Sequence, residues 1–181
     1  MPLLREKRSV TYAIVLGIWA EVFLYCLLHD QYLVRISPEH FTVHHPPLWG
    51  IVDPPLLAAA WAFRASIGPG LGLGLAALFV ARAGPRPKVP PARLLQTVPW
   101  LILATEACGL LAGAWVWRTG RPLFPEMLYP EPTLRSWIAQ TIQLTCYAAG
   151  AIASLGFLGW IRRLRTTHPP GTAAAASGST A

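Results

Sequence analysis

Four long apolar runs divide this chain, over 10–30, 55–81, 94–117 and 137–161. Each is close to the roughly 20 residues that carry a helix across a hydrocarbon core. Polar stretches punctuated by proline separate them, and proline both removes a backbone donor and blocks the preceding helical turn. The pattern predicts an all-α integral membrane four-helix bundle over 1–165. The tail, 166–181, is Ala, Ser, Thr, Gly and Pro apart from His168, too poor in large apolar side chains to bury a core, and is expected to be disordered.

The runs are not alike. The first follows a basic leader of Arg5, Lys7 and Arg8 and ends in Tyr25, Cys26, His29, Asp30 and Gln31, with no small-x-small cleavage signature. It is expected to be an uncleaved span reaching as far as Val34. The second contains Arg64 and Gly68-Pro69-Gly70-Leu71-Gly72-Leu73-Gly74, which should make it the least regular of the four. Gly68/Gly72 and Gly70/Gly74 have the spacing that lets two helices approach closely. The third carries Glu106 and the fourth Gln140 and Gln143.

Composition sharpens the membrane assignment: 54% of the 181 residues are hydrophobic and only 13% charged, where a soluble domain has about a quarter charged. The net charge of +7 is topological rather than a nucleic-acid footprint, because no aromatic-interleaved basic patch occurs. Arg5, Lys7, Arg8, Arg82, Arg86, Lys88, Arg93, Arg162, Arg163 and Arg165 flank one set of span ends; Arg35, Arg118, Arg121 and Arg135 flank the other. Basic flanks stay in the cytoplasm, so both termini are expected there and the stretch from His29 to Asp53 outside. Trp49, Trp100, Trp117, Trp137 and Trp160 sit near the boundaries, as interfacial anchors would.

Ionisable groups inside lipid are costly and therefore suspect. At about 1.5 Å per residue, Glu21 and Glu106 both count to near the midplane, with Arg64 in the outer half. They are expected to converge, more as a structural ion pair than as a proton or ion path. The other concentration is the first loop with its approach: His29, Asp30, Glu39, His40, His44, His45 and Asp53. His40 and His44 share a helix face if one forms, but Pro46 and Pro47 follow at once; no metal or cofactor is expected. Cys26, Cys108 and Cys146 lie in apolar runs without CxxC spacing and are assigned to packing. No nucleophile elbow, HExxH or phosphate-cradling loop occurs.

The stretch His29-Asp30-Gln31, then Arg35-Ile36-Ser37-Pro38-Glu39-His40-Phe41-Thr42-Val43 and His45-Pro46, resembles a family of uncharacterised bacterial membrane proteins. In these a first span leads into His-Asp-Gln, Pro-Glu-Tyr-Phe-Thr and Gly-His-Pro. The likeness covers the first span, the first loop and the start of the second span. His40 stands where that pattern has an aromatic residue and His44 where it has glycine, which shifts attention to His29, Asp30, Glu39 and His45. The resemblance implies a bacterial inner-membrane location and supplies no activity. The expectation is a structural or accessory membrane component, with a protein partner or a second copy as its contact and no nucleic acid. The alternatives are a small ion-coupled transporter using Glu21, Arg64 and Glu106, and a membrane enzyme with an external His/Asp/Glu site.

Overall fold

The computed structural model describes residues 6–166, and among them the chain is all helical. The elements are α1 (Arg8–Ile36), α2 (Glu39–Thr42), α3 (Pro54–Arg82), α4 (Pro91–Leu95), α5 (Val98–Thr119) and α6 (Leu134–Leu164), with a 3-10 turn at Glu126–Leu128. Four helical stretches, α1, α3, α4 with α5, and α6, are long and apolar enough to cross a membrane. Leu16, Leu24, Leu75, Phe79, Leu111, Ile152 and Leu155 lie exposed on their outer faces. Such a surface suits lipid and not water, so this is a multi-pass membrane protein.

Two ends are distinguishable. At the terminal end, Glu6 pairs with Arg82 (2.8 Å) and Lys88 (2.7 Å), which pulls the Glu6 carboxyl down to about 2. Arg165, buried beyond the end of α6, donates to the carbonyls of Pro87 (2.8 Å), Ala83 (2.6 Å), Arg86 (3.1 Å) and Val80. It thereby caps carbonyls that α3 leaves open at its C-terminus. At the opposite, loop end, Tyr129 folds the second loop down by accepting from the amides of Leu123 and Phe124 and pairing with the Thr141 hydroxyl at 2.8 Å.

Helix α1 packs along α3, and α5 along α6. Close approach explains both pairs. A Cβ on Gly74 would come within 2.9 Å of the Val15 backbone, and one on Gly70 within 2.8 Å of Trp19. Gly109 and Gly113 do the same for α5 against Cys146 and Ile142 of α6. Of the two glycine pairs expected to pack, only Gly70/Gly74 does so; Gly68 and Gly72 face open space.

Several expectations are corrected here. The second span is one unbroken helix despite Pro69: flanking turns hold their own bonds, and one missing donor does not end a helix of 29 residues packed along α1. Helix α1 runs to Ile36, two residues beyond the Val34 expected as its furthest reach, so His29 and Asp30 lie on that helix and not in the external stretch also expected to hold them. The third span is broken after Leu95 by a turn at Gln96 and Thr97. The tail beyond Thr166 lies outside the described residues.

The interior divides into two apolar clusters. The terminal half holds Ile14, Ile18, Ala77, Ala81, Leu94, Val98, Phe157 and Ile161. The loop half holds Leu33, Val34, Phe41, Leu57, Ala139, Ile142 and Cys146.

Candidate functional site

Polar side chains gather within the loop half, where α1, α5 and α6 meet. His29, 5% exposed, is the hub. Its Nδ1 lies 2.9 Å from Glu106 Oε2 on α5, and its Nε2 lies 3.1 Å from Gln143 Oε1 on α6. Tyr32, one turn further along α1, donates its hydroxyl to Glu106 Oε1 at 2.6 Å. Tyr25, one turn earlier, packs its ring on His29 with centroids 5.4 Å apart. Tyr25, His29 and Tyr32 follow the three-and-four spacing that places side chains on one helix face.

Cys146 closes the cluster, with Sγ 3.9 Å from Glu106 Oε2 and 3.7 Å from the Thr105 carbonyl. Three chemically different ligand atoms, His29 Nδ1, Glu106 Oε2 and Cys146 Sγ, thus lie within 4.8 Å of one another.

Above this cluster, between the first and second loops, opens a cleft of about 370 Å³. Its walls include His40, His44, Met127 and Leu128, and Gln143 and Tyr147 lie along it from α6. Gln143 donates to the Tyr147 hydroxyl and also touches His29, so the amide links the cleft to the buried pair. Each ring nitrogen of His29 thus faces an oxygen, and Nδ1 also lies 3.1 Å from the Tyr32 hydroxyl. Turning the Gln143 amide over would present its NH2 group to Nε2 instead. The arrangement can hold, orient and pass a proton.

Around the cleft, the first loop packs through rings. His40 and His45 lie 4.8 Å apart, His45 stacks on Phe41, and His45 meets Trp61 of α3 at 4.9 Å. Burial, with the neighbouring His45 and His44, pushes His40 down to about 4. His44 reaches Glu131 of the second loop at 3.4 Å. Because α2 ends at Thr42, His40 and His44 never share a helix face.

Comparison of the chain with protein-family models, with curated proteins and with solved structures finds no match. The site rests on its own geometry.

The sequence candidates divide accordingly. His29 and Glu106 meet directly. Asp30 is buried beside His29, whereas Glu39 accepts from the Ser37 hydroxyl at 3.3 Å and His45 supports the loop's ring stack. The expected convergence of Glu21, Arg64 and Glu106 is not found. Glu106 is taken by His29 and Tyr32; Arg64 is exposed, with its guanidinium 5.1 Å over the Trp61 ring one turn nearer the loop end. Glu21 Oε2 is buried with no hydrogen-bond partner.

The physical reason is register. Leu95 packs on Gly17, where a Cβ would come 2.8 Å from it, because the proline-rich connection carries the chain well into the bundle before α5 begins. Eleven residues on, Glu106 is level with His29 rather than Glu21. Tyr25, Tyr32 and Cys146 were missed as site residues. The shared face of Tyr25, His29 and Tyr32 is the signal that could have found the first two; nothing in the spacing of Cys146 marks it.

Proposed function

We propose that this is a small polytopic protein of the bacterial inner membrane, an accessory component whose working site is the cleft on the non-cytoplasmic side. What supports this reading is the continuity from the cleft through Gln143 to the His29–Glu106 pair. The basic residues gathered at the terminal end favour both termini in the cytoplasm. The resemblance of the His-Asp-Gln to His-Pro stretch to bacterial membrane proteins favours the compartment.

A transporter is less well supported. A path needs polar groups or space through the whole bundle, and the terminal half is occupied by the packed apolar cluster around Ile14, Ile18, Ala77 and Leu94. A one-sided site fits recognition of a partner better than passage of a solute. The two loops that form its rim are tied to α3 through His45 and Trp61 and to α6 through Tyr129 and Thr141, which lowers the entropy cost of docking.

The test is photo-crosslinking in intact cells. A benzophenone side chain placed at Leu144, in the cleft, should give a discrete protein adduct that the same group at lipid-facing Leu155 does not give. Identical lipid-only products at both positions would defeat the accessory reading.

A further inference from the structure

We infer that His29, Glu106 and Cys146 form a binding site for a divalent transition-metal ion of the zinc class. The argument begins with the ring of His29. When Nε2–H donates to Gln143 Oε1 at 3.1 Å, Nδ1 presents a lone pair to Glu106 Oε2 only 2.9 Å away. Two acceptors at that distance need a cation between them, and either a proton or a metal ion satisfies both. Cys146 Sγ, 3.9 Å from the same oxygen, adds the soft ligand that distinguishes a metal site from an ordinary proton bridge.

The outer contacts are those a metal site needs. Histidine ligands donate their second nitrogen to a fixed acceptor, which sets the tautomer; Gln143 does this here. A carboxylate binding through one oxygen has its other oxygen held, and Tyr32 holds Glu106 Oε1 at 2.6 Å. The Tyr25 hydroxyl is buried against Glu106 and Cys146 while its ring lies on His29, so a further polar group borders all three ligands. Bonds of about 2.0–2.3 Å in tetrahedral geometry set ligand atoms roughly 3.3–3.7 Å apart. Three atoms within 4.8 Å reach that by shifting about an ångström.

Charge also balances. A divalent ion bound by one carboxylate, one thiolate and a neutral imidazole leaves no net charge among the spans, where net charge is costly. Binding displaces the proton of the Cys146 thiol and takes the place of any proton on His29 Nδ1. The ligands come from α1, α5 and α6, so the ion would join the two helix pairs. This inference does not depend on the accessory reading, since a metal site of this kind could equally be structural.

The full chain, purified in detergent and stripped with chelator, is titrated with Co²⁺. One ion per chain should bind, with a thiolate-to-cobalt charge-transfer band in the near ultraviolet. The band should vanish in Cys146→Ser and persist in Cys26→Ser and Cys108→Ser. Gln143→Leu should weaken binding roughly 10-fold or more. Absence of a band in the wild type, or its persistence in Cys146→Ser, overturns the site; binding by the loop histidines alone would give no thiolate band. If Cys146→Ser does not fold, the wild type decides. Zn²⁺ should slow maleimide alkylation of Cys146 but not of exposed Cys108, and equal rates with and without Zn²⁺ overturn the proposal.

Discussion

Replacing Gly74 with alanine isolates the contact that joins α1 to α3. The added Cβ would lie 2.8 Å from the Val15 carbonyl oxygen and 2.9 Å from Val15 Cα, both backbone atoms that no rotamer change can move. Ordinary contact begins at about 3.4 Å, so the helices must separate locally by roughly half an ångström, and overpacking of this kind costs about 1–3 kcal/mol. Gly72→Ala is the matched control: the same chemistry on the same helix, with nothing within 4 Å of its Cβ. Thermal melting of the purified protein in detergent should show Gly74→Ala lower and Gly72→Ala at or above the wild type. The Gly70→Ala/Gly74→Ala double variant should lose less than the sum of the single losses, because one separation relieves both clashes. Equal melting of Gly74→Ala and Gly72→Ala would refute the assigned interface.

At the terminal end, Arg165→Leu should destabilise by about 2–3 kcal/mol, since it leaves carbonyls of α3 and its following loop uncapped, whereas truncation after Arg165 should leave the melt unchanged. Acid should act through two groups of opposite kind. Glu6, held at about 2, contributes stability that is fully present above about 4.5 and is lost as pH falls toward 2; Glu6→Gln should flatten that limb of a melting-versus-pH curve. His40, held neutral down to about 4, gains its proton only on unfolding between pH 6.5 and 4, so stability should fall across that window by up to about 3 kcal/mol and not in His40→Gln. Finally, a double-mutant cycle between His29→Gln and Glu106→Gln should show coupling of about 1–3 kcal/mol, while Arg64→Leu with Glu106→Gln should be additive.

The four spans were legible because the lipid requirement acts on composition, and apolar length survives any detail of packing. Their ends were less so. Helix α1 continues past the apolar run through Gln31, Tyr32 and Arg35 because nothing stops a helix before Pro38, and polar residues near a membrane surface tolerate helix as well as loop. Pro69 drew attention as a break, yet a proline in a long packed helix need only leave one carbonyl to its neighbours. The site was half legible. Glu106 and Gln143 stood out as polar groups in apolar runs and His29 as one of the first loop's polar cluster, but who meets whom depends on the vertical offset between helices. That offset is set where Leu95 settles against Gly17, a contact between residues 78 positions apart that no span-by-span count reveals. Cys146 stayed among packing residues because only the fold brings it to Glu106.

Labelling with a membrane-impermeant maleimide tests the one-sided site most directly, using single cysteines in a background with Cys26, Cys108 and Cys146 replaced by serine. In intact cells, Val43→Cys on the first loop and Gln143→Cys at the cleft floor should both react. Ala77→Cys, fully buried in the terminal cluster, should react from neither side of the membrane. Reaction of Val43→Cys and Gln143→Cys only after the cytoplasmic side is opened, or reaction of Ala77→Cys as readily as Gln143→Cys, would contradict an outward-facing cleft above a sealed bundle.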